Sequence, residues 1–282
     1  MRIPFGRRRR RGPDPSPAAI DEFIVFGHMR CGSTTLARAL ERHPDVRILN
    51  EPFNSNFTTY RPGSRDYLAL VTDDRSMDEQ LTHMFEDHDG VKTLGYQIPW
   101  ELSAHMLRNA ERRVIFLKRL NVLQTVVSGL ISQQTGIWHS WDVDDTTDME
   151  GPLEPLSIDF VRGGVADVAE EIAYFDEVVA SRTGPTLVLT FDELYGGTRE
   201  DRRHNLARTF DFIGAEAPPP DETDGLLDPA QTKLNSAETY LRLPNAREID
   251  AALGNDETGW LFTDSGRLSS GPSIDGSSSK VQ

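Results

Sequence analysis

The chain has 282 residues, a single cysteine and a formal net charge of −15 at pH 7. That length suits one α/β domain or two smaller ones, and so acidic a body excludes broad nucleic-acid binding, leaving an anionic ligand to a local basic pocket. One cysteine excludes an intrachain disulfide and fits a reducing, cytoplasmic setting, and there is no run of about 18 apolar residues to span a membrane.

The opening MRIPFGRRRRRGPDPSP carries six arginines in its first eleven residues with no apolar stretch behind them. It reads as a disordered basic arm over residues 1–19, not a secretory signal. Solvation accounts for such a tail; contact with nucleic acid or an anionic membrane surface is the alternative.

Phe23-Ile24-Val25-Phe26 is an apolar run of the kind a buried parallel strand shows. The chain then turns through Gly27 and Gly32 into a helix with Leu36, Ala39 and Leu40 on one face and Pro44 past its end. Strand, glycine turn and helix make an anion site from backbone N–H groups and the helix dipole. Gly27 to Gly32 followed by Ser33-Thr34 has the length of a Walker A loop, G-x-x-x-x-G-K-S/T, but Ser33 stands where the lysine belongs. Arg30 is the cation inside the loop and is suited to clamping a phosphate by paired hydrogen bonds. The loop therefore suits an anion other than the β/γ end of ATP. Cys31 is expected to fill the tight turn, since a thiolate there would repel the anion.

Val46–Leu49 reads as a second strand leading into Asn50-Glu51-Pro52. Ligands of open parallel sheets sit at the carboxyl ends of strands, so Glu51 is expected beside the Gly27–Thr34 loop. Residues 55–90 read as loops with one helix at Asp78–Phe85. Val91–Ile98 reads as a strand stopped by Pro99, and Leu102–Asn109 as a helix. Val114–Leu117 is an apolar strand ending in Lys118-Arg119. The next helix is capped by Asn121, buries Val122, Leu123, Val126, Val127, Leu130 and Ile131, and ends near Gly136. Residues 139–160 read as a long loop. Val165–Ser181 reads as a helix, Thr186–Thr190 as the last strand, and Arg199–Ile213 as a helix ended by Gly214. Pro218–Pro220 reads as a connector, Pro244–Leu253 as a final helix, and Ser- and Gly-rich 265–282 as a disordered tail.

Arg119 at a strand end and Ser128 in the following helix form a second constellation, able to bridge one phosphate lying along that helix. Alone it is unspecific, because a helix serine often bonds back to a carbonyl. Taken together, GHMRCGSTTLARAL, LNEPFN and VIFLKRLNVLQTVVSGLISQQTGIW resemble the sulfotransferases that use 3′-phosphoadenosine-5′-phosphosulfate (PAPS). The run Gln133–Trp138 and the glutamate after the second strand look most like bacterial carbohydrate members of the trehalose 2-sulfotransferase type. TFDELYGG and KLNSAETYLRLPN are similar to bacterial members less specifically.

The resemblance spans roughly residues 20–262 and implies a P-loop-like α/β fold, with a central parallel sheet flanked by helices, over 20–264. It implies that Arg30, Cys31, Gly32, Ser33, Thr34 and Thr35 bind the 5′-phosphosulfate. It implies Arg119 and Ser128 at the 3′-phosphate, with Lys233 as substitute for a C-terminal basic loop. It makes Glu51 the general base, with His28 as the alternative, and Arg30 a catalytic cation stabilising the leaving phosphate. The sequence departs from the family where His28-Met29 precede the arginine and where Lys118-Arg119-Leu120 replaces an R-R-D or R-D pattern. The implied activity moves a sulfuryl group to a hydroxyl of a small-molecule acceptor, a carbohydrate among the candidates, without a metal. Trp138, His139 and Trp141 either line an acceptor pocket or pack in the core. Asp142, Asp144, Asp145 and Asp148 lack EF-hand spacing and read as a solvated acidic loop. The rival readings are a P-loop nucleotide kinase or NTPase and a non-catalytic nucleotide-binding relative. Oligomeric state is left open by the sequence.

Overall fold

Phe23–Phe26 is apolar at every position because it is the middle strand of a sheet covered on both faces. The computed structural model describes residues 20–138, 151–228 and 237–262. Five strands, β1 (Phe23–Gly27), β2 (Ile48–Asn50), β3 (Gly90–Leu94), β4 (Arg113–Lys118) and β5 (Thr186–Thr190), form one parallel sheet in the order β2-β3-β1-β4-β5. The fold is therefore α/β with a central parallel sheet. The order reverses at β1, so ligands of such a sheet are expected beyond the carboxyl end of β1.

The described chain falls into two compact units, residues 20–119 with 170–228, and residues 120–138 and 151–169 with 237–262. In the first, successive β1 side chains point to opposite faces. Ile24 and Phe26 join Val91, Val114, Phe116, Met77 and Leu81 of α4 (Asp74–Phe85), Met106 and Leu107 of α5 (Trp100–Arg108), and Phe175 and Val179 near the end of α7 (Ile158–Ala180). Phe23 and Val25 join Ile115, Leu117, Leu36 and Leu40 of α1 (Ser33–Leu40), and Leu206, Phe210 and Ile213 of α9 (Arg199–Ile213).

In the second unit, α6 (Val122–Thr135) is capped by Asn121, whose Oδ1 accepts the Gln124 N–H at 2.9 Å while its amide donates to the Trp260 carbonyl at 2.8 Å. The cap thus ties the helix start to the chain's last described residues, and Gly136, at φ 72°, ends the helix. Ser128 is buried within α6.

Several elements depart from expectation for local reasons. Residues 55–90 hold α2 (Phe57–Tyr60) and α3 (Tyr67–Leu70) besides the expected helix. Strand β3 stops at Leu94 because the Gln97 side chain curls back, accepting from Thr93 Oγ1 at 2.9 Å and the Leu94 N–H at 3.2 Å. A 3₁₀ turn, Gly95–Gln97, follows in place of strand. Helix α7 starts at Ile158, ahead of the expected 165, and runs through Gly163-Gly164. Gly164 fits there because a Cβ would press on Val126. Pro220 opens α10 (Pro220–Leu227) where a connector was expected, since proline suits the first helical position. Among the described residues no helix is long and apolar enough to cross a membrane. The arm over 1–19 and the tail over 265–282 lie outside the described residues.

Candidate active site

The loop joining β1 to α1 owes its shape to single residues. At Gly27 a Cβ would meet the Leu117 carbonyl oxygen and the Cys31 sulfur, so glycine is what lets Cys31 fold back beneath the loop. Arg30 at φ 57° and Gly32 at φ 89° are left-handed positions that reverse the chain into α1. Leu36 is the first residue to find a helical partner, donating to the Gly32 carbonyl at 3.1 Å. The Ser33 N–H is turned to the Cys31 sulfur, while the N–H groups of Thr34 and Thr35 have no such partner in the helix, the arrangement of an anion cradle. Burial pushes the Cys31 thiol up, so its side chain is a neutral filler, and a ligand can meet this residue only through its backbone.

The loop's cation shortage is met from a neighbouring strand. Lys92 lies inside β3, opposite Val25 of β1, and is 0% exposed. Its ammonium donates to Thr34 Oγ1 at 3.1 Å and forms an ion pair with Glu51. The other Glu51 oxygen accepts from Asn54 Nδ2 at 2.8 Å and Gln97 Nε2 at 2.9 Å. Burial alone would raise the Glu51 carboxyl, but the Lys92 charge and these hydrogen bonds outweigh it and hold the group below the usual carboxylate range. The Glu51 backbone is itself left-handed, at φ 52°, and its N–H donates to the Lys92 carbonyl at 2.7 Å. Arg30 and Glu51 are the only non-glycine residues at positive φ among the described residues. Held backbone strain of this kind clusters at functional sites. Sequence reasoning placed Glu51 but took Lys92 only as part of a strand. A lysine in the middle of a fully buried strand was the available signal.

His28 joins the ends of β1 and β4. Its Nε2 accepts the Arg119 N–H at 2.8 Å, and Nδ1 donates to the Met29 carbonyl at 2.8 Å. The carbonyl fixes the tautomer. Burial, with the Arg119 charge adding to it, lowers the imidazole to about 4. Both ring nitrogens are thus occupied in a neutral strut, which speaks against His28 as a base. The Arg119 guanidinium stacks on the Phe191 ring at 4.6 Å, and Tyr195 donates to the Gly32 carbonyl at 2.7 Å. Both aromatic residues belong to α8 (Phe191–Tyr195), and a Cβ at Gly32 would strike both rings. This corner braces the loop and Arg119 together, a role the TFDELYGG stretch did not disclose.

A second carboxyl lies nearby. Glu171 of α7 is buried, and a Cβ at Gly95 would strike its Oε1. Burial raises its pKa to about 7. Among the described residues, no group of three or more His, Cys, Asp and Glu side chains is arranged to hold a metal ion. Thus Arg30, Thr34, Glu51 and, through His28, Arg119 fall within the first unit, whereas Ser128 belongs to the second. Trp138 is 40% exposed, while Lys233, His139, Trp141 and the acidic run Asp142–Asp148 lie outside the described residues.

No protein-family model matches the chain, and no curated protein matches it significantly. Among solved structures, a shikimate kinase from Bacteroides thetaiotaomicron is similar at 13% identity and a TM-score of 0.40, covering 69% of this chain and 99% of its own. A mouse sulfotransferase complexed with PAP is similar at 12% identity and a TM-score of 0.38, covering 88% of this chain and 73% of its own. At such identities and scores neither likeness discriminates between the two activities.

Two measurements test this geometry. Lys92→Met strands a largely buried carboxylate and should cost about 3 kcal/mol in urea denaturation, as breaking a buried pair does. Adding Glu51→Gln should recover part of that loss; strictly additive losses would show that the two side chains share no ion pair.

The second measurement is pH dependence. Glu171, raised from 4.5 to about 7, contributes stability that is present below pH 4.5 and lost as pH rises through 7. His28, lowered from 6.5 to about 4, contributes stability that is present above pH 6.5 and lost as pH falls through 4. The two slopes oppose each other and mask one another in the wild type. Glu171→Gln removes one of them. Its stability relative to wild type should climb by about 3 kcal/mol between pH 4.5 and 7; a flat difference would mean that Glu171 titrates in the fold as it does in the unfolded chain.

Proposed function

We propose that the chain is a sulfotransferase, taking a sulfuryl group from PAPS and passing it to a hydroxyl of a sugar or other small metabolite. The observation that carries this reading is the Thr34–Lys92–Glu51 chain, which joins an anion cradle directly to a carboxylate. A donor anion and a hydroxyl that must lose its proton call for those two features side by side. The donor set fits: Arg30, the Thr34 and Thr35 N–H groups, the Thr34 hydroxyl and Lys92 would hold the 5′-phosphosulfate. Arg119, its guanidinium kept in place by Phe191, would take the 3′-phosphate.

When bound, PAPS would supply the sulfuryl group, the acceptor oxygen bonding to sulfur as the bond from sulfur to the bridging oxygen breaks. Arg30 and Lys92 bring positive charge to the phosphate side of that bond, in a setting already dry enough to strengthen it. Glu51 takes the acceptor proton. With Lys92 paired to it the carboxylate is a weak base, and an anion that draws the ammonium towards itself strengthens it. The single free thiol fits a reducing, cytoplasmic setting.

A P-loop kinase or NTPase is the second reading, and Lys92 favours it as well, since it brings an ammonium to the loop that lacks the Walker lysine. Metal dependence separates the two, because phosphoryl transfer from ATP needs Mg²⁺. Adenosine 3′,5′-bisphosphate should raise the melting temperature without metal, by about 2.7 kcal/mol of stability at a hundredfold excess over its Kd. Arg119→Ala should weaken that bisphosphate by about 1.5–3 kcal/mol and leave adenosine 5′-phosphate nearly unchanged. Stabilisation by ATP–Mg²⁺ alone would hand the site to the kinase reading.

Glu51→Gln keeps the shape of the group and removes its basicity. Bisphosphate affinity should stay near wild type, while sulfuryl transfer, read as radiolabelled sulfate appearing in acceptor, should fall by about 10²–10⁴. Undiminished transfer would remove Glu51 from the proton's path.

A further inference from the structure

Glu171 has no task in the chemistry described so far, yet its position is costly. It is only 6% exposed, and its Oε1 has no hydrogen-bond partner. A buried carboxyl oxygen left unsatisfied destabilises a fold, and a leucine would fill the same space without that cost. Its location is specific. The register pairs Gly27 of β1 with Leu94 of β3, so Gly95, against which Oε1 packs, lies level with His28, where the anion loop begins. Phe175, one turn further along α7, meets Phe26 edge-on at 4.6 Å, which anchors this part of the helix over the end of β1. Two residues beyond Gly95, Gln97 donates to Glu51. The 3₁₀ turn Gly95–Gln97 therefore meets Glu171 at its first residue and Glu51 at its last. Tyr96, in the middle of the turn, keeps 56% of its surface exposed; burial of the remainder, with the charges of Glu51 and Glu171, pushes its phenol up to about 12.

We propose that this turn is the acceptor subsite, in which the unpartnered Oε1 of Glu171 accepts a hydrogen bond from a second hydroxyl of a neutral polyhydroxylated acceptor and the exposed Tyr96 ring covers the acceptor's C–H face. This inference rests on the sulfotransferase reading and names the class of its acceptor. An anionic acceptor against Glu171 would require that carboxyl to stay protonated at and above neutral pH, so the subsite favours a neutral one. A ring beside hydroxyl-seeking oxygens suits a molecule with one apolar face and a rim of hydroxyls. Glu171 is a binding group here; the proton transfer stays with Glu51.

The test is equilibrium binding of glucose and trehalose to the full chain by saturation-transfer NMR and calorimetry, with and without adenosine 3′,5′-bisphosphate. The wild type should bind at least one of the two sugars and bind glucuronate more weakly than glucose. Glu171→Leu should weaken the bound sugar about three- to tenfold, the scale of one lost hydrogen bond to a neutral group. Glu171→Gln, which keeps an acceptor oxygen, should weaken it less. Both variants should bind the bisphosphate as wild type does and melt no lower than wild type. Absence of sugar binding, equal sugar affinity in wild type and Glu171→Leu, or a large fall in melting temperature for both variants would each overturn the subsite. Failure of the wild type to bind the bisphosphate would instead sink the donor reading, and sugar binding measured without nucleotide would still judge Glu171.

Discussion

The site depends on a charge that the sheet has buried. Lys92 is on β3, beside the central strand, with none of its surface in water. An ammonium cannot sit there without a counter-charge and full hydrogen bonding. Glu51 provides the charge, Thr34 an acceptor, and the position of each is fixed from elsewhere. Thr34 is held by the turn of the loop, and Glu51 by its backbone bond to Lys92 and by Asn54 and Gln97. The anion loop, the middle of the sheet and the carboxylate are therefore one electrostatic unit. Disturbing any member changes the charge balance of the others, so a requirement of folding coincides here with the proposed anion site.

The two carboxyls at the end of β3 show how environment divides like groups. Glu51 has a cation and amide donors, and is kept ionised. Glu171 is buried with an unpaired oxygen, and burial holds its proton up to about neutral pH. Pairs of titratable groups driven apart in this way mark divided roles in sites that handle protons. The neutral His28, bound at both nitrogens, takes no part in that division. Its bond to the Arg119 N–H joins the ends of β1 and β4.

Most of the sheet was legible because buried parallel strands write themselves as apolar runs, and β1, β4 and β5 were placed within a residue or so of their observed ends. The helices Arg199–Ile213 and Val122–Thr135 were legible from their caps, Asn121 and the glycines that follow them. The illegible parts share one physical cause: side chains acting over long sequence separations. Gln97 ending β3, Lys92 reaching across to Glu51 and Thr34, and Tyr195 holding Gly32 leave no local pattern. The helix expected from Val165 begins at Ile158 and runs through Gly163-Gly164, where the missing side chain of Gly164 allows close packing on Val126. Of the site, Arg30 and Glu51 were legible from motif and topology; Lys92, Phe191, Tyr195 and Glu171 were not.

Arg119 illustrates why the supporting residues matter as much as the ones that face a ligand. A lone arginine at a strand end has several rotatable bonds and loses that freedom when it binds a phosphate. Here its N–H is tied to His28 and its guanidinium lies on Phe191, whose helix also holds Gly32. The ring keeps the guanidinium plane oriented and partly desolvated before any anion arrives. Because α8 fixes both Arg119 and the loop carbonyl, the two anion-facing elements share one rigid support, and the spacing between them is set by Phe191 and Tyr195 lying one helical turn apart. On the proposed reading, selectivity for a donor with two separated anionic groups would come from that fixed spacing, since either element alone would accept any phosphate.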